Sequence, residues 1–265
     1  MVTRRSTLAG MFYPKDPALL EKQLESFFNN VSLTITGNIL GIVCPHAGIT
    51  YSGLTAAHSY SAIRKDFDGT FIVIGPSHSG FHDCVSSLAW ETPLGDLLPD
   101  TDLIEKLPVE VDNDAHQQRE NSLEVQMPFI KYRFPKSKIV PILLGNQSYE
   151  NSIAMGEVIF EVLSESKNDV KVVASSDFSH YIPDEDARRY DHYAINGLLN
   201  LDTMEFYRRI YTKRISACGI GPIIAMVEAC KKSGAHKAEL INYMTSGEIS
   251  GDYDQVVGYA AIAVE

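Results

Sequence analysis

Three of the eight histidines follow short apolar runs directly: His46 after NILGIVC and a proline, His78 after TFIVIGPS, and His180 after VKVVAS and the polar turn SDFS. Imidazole is a metal ligand or an acid/base group at physiological pH. In open α/β sheets such groups gather outside the carboxyl ends of the strands, so three strand ends that each deliver an imidazole describe one candidate site. Taken singly, each is also consistent with a loop histidine bonded to a backbone carbonyl; their convergence carries the reading.

Cys218 comes from another direction, in ISACGIGP just before a helix expected over about Gly221 to Lys232. A thiol facing a helix N-terminus has a lowered pKa and more thiolate, while the competing role is that of a small buried hydrophobe. Two imidazoles and one thiolate make an open three-ligand site with room for water, dioxygen or substrate. Such a site suits copper, iron or zinc and not a hard, oxygen-seeking ion such as Mg²⁺. Asp177 and His180, in SSDFSH, then stand beside it as acid/base or orienting groups. Ser176, Asp177 and His180 invite comparison with a hydrolase, but the chain has no GxSxG elbow and three neighbours on one loop rarely achieve triad geometry. GPSHSG lacks the Lys-Ser/Thr ending of a P-loop.

The other histidines, His58, His82, His116, His192 and His236, fall on expected helices or polar loops and are read as structural or exposed. Cys44 lies inside a strand beside His46, Cys84 begins one, and Cys230 is on a helix face, so all three are read as buried thiols. No CxxC pairing occurs, which argues for reduced thiols rather than disulfides or a zinc knot.

The elements that must position these residues alternate. Strands are expected over Asn38–Cys44, Thr70–Ile74, Cys84–Trp90, Lys138–Leu144, Val170–Ser175, Ala238–Met244 and Val256–Val264. Helices are expected from the cap Asp16 through Phe28, over Ser52–Ile63, near Asp102–Leu107, over Ser122–Tyr132 with a break at Pro128, and over Tyr149–Leu163. Three more follow around Asp184–Leu199, Thr203–Tyr211 and Gly221–Lys232. Gly48 is expected to let the turn after His46 pass close to the site. This alternation predicts an α/β fold, a single domain over residues 1–265 with a mixed, mostly parallel central sheet flanked by helices.

Composition narrows the function classes. With 23 basic and 34 acidic residues the net charge is −11, and no basic cluster longer than a pair occurs, so nucleic acid and anionic membrane surfaces are not expected partners. The longest apolar-plus-glycine run, Val256 to Val264, is half of the roughly 18 to 20 residues a bilayer span takes. The apolar stretch after Arg4-Arg5 is cut off by Tyr13-Pro14-Lys15-Asp16, leaving no proper apolar h-region, so the cytoplasm is the expected location.

CPHAGITYSG, GPSH, ENSLEVQMPF at Glu120 to Phe129, SSDFSH and the ACG at Ala217 to Gly219, with AGMFYP near the start and VVGYAAIAV at the end, together resemble the Memo family. The resemblance spans essentially the whole chain. It implies a fold similar to the class III extradiol ring-cleaving dioxygenases, with one metal held by His46, His78 and Cys218. Asp177 and His180 match the pocket residues beside the metal, His180 falling where the dioxygenases keep an acid/base histidine. Two departures stand out. A thiolate replaces the dioxygenase carboxylate ligand, so the 2-His-1-carboxylate triad is not intact. The segment that usually reads Glu-His-Ser in the family is Glu120-Asn121-Ser122 here.

The leading functional expectation is a mononuclear metal-binding protein with redox capability, holding copper or iron, with zinc as a further candidate. A second is an adaptor that uses the pocket for a small molecule or peptide without turnover. A third is surviving dioxygenase chemistry. The resemblance also implies radical-SAM system proteins as partners.

Overall fold

The computed structural model describes residues 2–33, 37–166 and 168–265. Among these the strands are β1 (Thr3–Arg4), β2 (Gly41–Cys44), β3 (Thr70–Pro76), β4 (Cys84–Val85), β5 (Ala89–Trp90), β6 (Lys138–Leu144), β7 (Val170–Ser175), β8 (His180–Ile182), β9 (Ala238–Thr245) and β10 (Val256–Val264). The helices are α1 (Pro17–Asn29), α2 (Ile49–Ser61), α3 (Thr101–Ile104), α4 (Asn113–Gln117), α5 (Asn121–Glu124), α6 (Gln126–Arg133), α7 (Tyr149–Glu165), α8 (Asp184–Leu198), α9 (Thr203–Lys213), α10 (Ile220–Lys232) and α11 (Gly247–Ser250).

The main sheet runs β4-β6-β3-β7-β2-β10, with β8 and β9 also paired to β10. Its centre is parallel, β6 to β3, β3 to β7 and β7 to β2, and both flanks are antiparallel. Strands β2, β3 and β7 are buried along their full length, which is why they read as continuous apolar runs rather than as alternating ones. Side chains still alternate between two cores. Val43, Ile72, Ile74, Val172 and Ala174 pack on the face covered by α7 and α10, with Ile159, Ile223 and Val227. Ile42, Cys44, Phe71, Val73 and Val173 pack on the face covered by α1, α2 and α6, with Leu24, Tyr60 and Phe129. The expected mixed, mostly parallel sheet with helices on both faces is therefore present.

Three local expectations are corrected. Cys84 to Trp90 is two short strands, because the chain leaves the β6 edge after Val85, and Ala89-Trp90 pairs in parallel with β1 instead. The helix break lies at Val125 and not at Pro128. Pro128 sits in the first turn of α6, where its missing N–H has no intrahelical partner to lose. Gly48 is not a close-approach glycine, since a Cβ there would lie 3.6 Å from Phe12 O, an ordinary contact. Elsewhere the caps act as their residue types suggest. Asp16 accepts from the Leu19 N–H at 2.9 Å with Pro17 at the first position, an arrangement worth about 1 kcal/mol. No helix among the described residues is long and apolar enough to cross a membrane.

Candidate metal centre

The order β3-β7-β2 makes the carboxyl ends of three parallel strands adjacent, and these are the ends that carry His78, the SSDFSH turn and His46. Two glycines permit the close packing around them. A Cβ on Gly75 would stand 2.5 Å from Ser122 Oγ, so a bare position at the end of β3 lets α5 come against it. A Cβ on Gly219 would stand 2.4 Å from Ser175 O, so the start of α10 can lie on the end of β7.

Here His46, His78 and Cys218 meet. One candidate ligand atom from each lies within 4.8 Å of the other two. His46 Nε2 is 3.1 Å from Cys218 Sγ, and the two imidazole centroids are 5.3 Å apart with the rings at 80°. Each imidazole is held by its other nitrogen. His78 Nδ1 lies 2.7 Å from Glu120 Oε1, and Glu120 Oε2 accepts the His78 backbone N–H at 2.7 Å. A carboxylate that already accepts backbone N–H bonds accepts from Nδ1–H as well, which leaves the His78 Nε2 lone pair for a metal. His46 Nδ1 lies 2.9 Å from Ser175 Oγ.

The electrostatics of the two imidazoles differ. Burial lowers His46 to about 4, so its ring is neutral at physiological pH. The hydrogen bond to Glu120 raises His78 above the ordinary imidazole value despite partial burial. Burial works against the charge on Glu120, but its bonds to His78 and to the Ser122 N–H outweigh it and hold the carboxyl below the usual range.

Cys218 is paired to the β7 turn by backbone. Its N–H donates to Asp177 O at 3.2 Å, and the Asp177 N–H points at Cys218 Sγ at 3.2 Å. Gln147 clamps the other side, donating to Cys218 O and accepting the Gly221 N–H, both at 2.9 Å. The lowered thiol pKa expected from the helix N-terminus does not hold. Burial, reinforced by the Asp177 charge, raises Cys218 well above the ordinary thiol value.

Asp177 and His180 border the cluster. Asp177 Oδ1 accepts the His46 backbone N–H at 2.8 Å, leaving Oδ2 at 4.0 Å from His46 Nε2. His180 Nδ1 lies 2.9 Å from Ser216 O, an acceptor, so Nδ1 carries the proton and Nε2 is free. A serine triad is absent: Ser176 Oγ donates to Asp177 O and accepts from the Gly219 N–H. Asn121 donates to His46 O at 3.3 Å, so the residue that departs from the usual pattern is a backbone brace at this site.

The remaining histidines stay apart. His58 and His192 bond back to their own helices, at Leu54 O and Arg188 O. His82 joins Glu110 and Asp112 at the surface, and His116 is buried edge-on against Trp90. Cys44, Cys84 and Cys230 are buried and free, as expected. Sequence reasoning did not assign Glu120, Ser175 or Gln126. Their signal was there in ENSLEVQMPF and VKVVAS: polar side chains at positions the apolar pattern assigns to the core.

Comparison with known proteins agrees with this architecture. A family model described as Memo-like protein matches residues 4–263. A MEMO1 family protein of Methanosarcina barkeri is 47% identical over 268 residues, covering 99% of this chain and 100% of the relative. Another, of Methanocaldococcus jannaschii, is 40% identical over 284 residues and covers 99% of each chain. Among solved structures, an uncharacterized protein of Escherichia coli K12 superposes with a TM-score of 0.53 at 12% identity, over 85% of this chain and 99% of that one, a likeness of fold. The chain belongs to the Memo family.

Proposed function

We propose that this chain is a mononuclear metal-binding protein with redox capability, with copper or iron held by His46 Nε2, His78 Nε2 and Cys218 Sγ. The observation that carries the proposal is the convergence of these three donors within 4.8 Å, with each imidazole anchored through Nδ1. The spacing admits a cation. His46 Nε2 and Cys218 Sγ, 3.1 Å apart, would both come within reach of one ion, given metal–nitrogen bonds of about 2.0–2.1 Å and a metal–sulfur bond of about 2.3 Å. One thiolate with two imidazoles is a soft donor set that suits copper and accepts iron or zinc.

A copper or iron ion held there would supply Lewis acidity and one-electron redox capability. The chain's own residues supply the rest. Glu120 orients His78, and Asp177, tied to the His46 backbone, turns its second oxygen toward the cluster. His180, anchored on Ser216 O, offers a free Nε2 for proton transfer. Ring cleavage is not part of the proposal, because a thiolate stands where that chemistry uses a carboxylate ligand. Metal analysis of protein purified anaerobically without a metal-exchanging tag tests it. The wild type is expected to carry one ion per chain, and the Cys218→Ser, His46→Ala double variant background only; equal loading of the two sinks the proposal.

A further inference from the structure

The Ser175 hydroxyl, fully buried at the end of β7, touches three groups. Its Oγ lies 2.5 Å from Ser122 O, 2.8 Å from Gln126 Nε2 and 2.9 Å from His46 Nδ1. A hydroxyl has one hydrogen to give and two lone pairs to receive with. Three contacts therefore use it up, and the direction of two of them is fixed by the partners.

Ser122 O is a carbonyl and only accepts, so it takes the hydroxyl hydrogen. Gln126 is fixed by its other neighbours: its nitrogen also donates to Pro45 O at 2.9 Å, and its oxygen accepts from Tyr60 OH at 2.9 Å. A flipped amide would set oxygen against the Pro45 carbonyl, so Gln126 donates to Ser175 Oγ. One lone pair remains, and His46 Nδ1 must be the donor to it. We propose that Ser175, oriented by the Ser122 carbonyl and the Gln126 amide, is the positioning residue that holds His46 in its Nδ1–H tautomer and so keeps the Nε2 lone pair turned toward Cys218.

One neighbour of Nε2 pulls the other way. The Asp177 carboxylate at 4.0 Å favours a proton on Nε2, where it would block ligation. Asp177 is held there by the His46 backbone N–H, so its pull is permanent. The Ser175 hydroxyl is the counterweight, and without it the buried Nδ1–H has no acceptor. The consequence for a cation rests on the proposed function; the tautomer itself does not.

Long-range proton–nitrogen correlation spectra of the metal-free full chain, labelled at histidine nitrogen, read the tautomer directly. The wild type is expected to show His46 with a protonated, pyrrole-type Nδ1 and a pyridine-type Nε2, and Ser175→Ala to show the proton moved to Nε2. Zinc affinity by chelator competition should fall by about 10–100-fold in Ser175→Ala and recover in Ser175→Thr. A wild type protonated at Nε2 overturns the proposal, and so does a Ser175→Ala protein that keeps the wild-type pattern or the wild-type zinc affinity. Should Ser175→Ala fail to fold, the wild-type spectrum alone decides. If the tautomers behave as stated and the wild type binds no zinc, the positioning of His46 stands and the metal reading falls.

Discussion

Replacing Glu120 with glutamine changes one atom and removes what holds His78. The carboxylate is 3% exposed and its partners are all N–H groups: His78 Nδ1 at 2.7 Å and Ser122 N at 3.0 Å on one oxygen, His78 N at 2.7 Å on the other. A glutamine brings one oxygen and one NH₂, and no placement satisfies three donors. Put in place of Oε2, the NH₂ faces the His78 backbone N–H; put in place of Oε1, it faces the Ser122 N–H and drives the His78 proton from Nδ1 to Nε2. Either way a buried backbone donor is left unpaired, which costs about 1–3 kcal/mol of stability. The bond to His78 also loses its charge assistance, roughly half its strength. Losing such an outer partner of a ligating histidine typically costs about 10–100-fold in metal affinity, or about 1.4–2.7 kcal/mol. Chelator competition with zinc, beside thermal unfolding of the metal-free protein, measures both. The pH dependence adds a third signature. The hydrogen bond to Glu120 raises His78, so protons compete with the cation more in the wild type, and its advantage over Glu120→Gln should narrow as pH falls. Affinities within about threefold of each other at alkaline pH would refute the orienting role of Glu120.

Glu124, one turn further on, is fully buried and fills all four acceptor positions of its carboxylate at 2.7 Å each: Arg4 Nη1 and Thr7 Oγ1 on one oxygen, Leu8 N and Tyr13 OH on the other. Glu124→Gln leaves a buried guanidinium uncompensated and is expected to lose about 3–5 kcal/mol, a fall in Tm on the order of 10 °C by calorimetry; a change of only a degree or two contradicts the accounting. His116 is buried and lowered to about 4, with Nδ1 unpartnered. The unfolded chain binds its proton near pH 6.5 and the folded chain does not, so stability rises with pH across that window. About 3 kcal/mol is therefore lost between pH 6.5 and 4, and urea midpoints should show a flatter acid limb in His116→Gln than in the wild type.

Strands buried on both faces announce themselves as apolar runs, which is why β6, β7 and β10 lie where the sequence alone puts them. Very short strands carry no such pattern. β8 is three residues long and exists because β10 offers Val256 and Val257 to pair with it, and Tyr181 within it takes a left-handed φ of 58° that no residue type announces. His46 and His78 were legible because the strand-end rule needs only strands and the residues that follow them, whereas Cys218, which precedes a helix, joined them through the family resemblance. Their supports were not, because they bridge long separations: His78 to Glu120 over 42 residues, His46 to Ser175 over 129. The thiol shows the limit of local reasoning. Position before a helix argued for a lowered pKa, but burial and a carboxylate 41 residues away in sequence act in the opposite direction and outweigh it.

That raised thiol sets the proton cost of loading the site. Without a cation, Cys218 is protonated at neutral pH, because burial and the Asp177 charge both disfavour the thiolate. A metal binds sulfur as thiolate, so loading must expel the thiol proton. His46, lowered to about 4, has none to give, while His78, raised above the ordinary value, gives a fraction that vanishes as pH rises. Zinc titrations in buffers of different ionisation enthalpy count the protons as a slope: about one at alkaline pH, with an added fraction near neutrality. In Cys218→Ser the alkaline slope should fall toward zero. A wild-type slope of zero at alkaline pH means the sulfur was already ionised, and the helix N-terminus would then outweigh burial at this site.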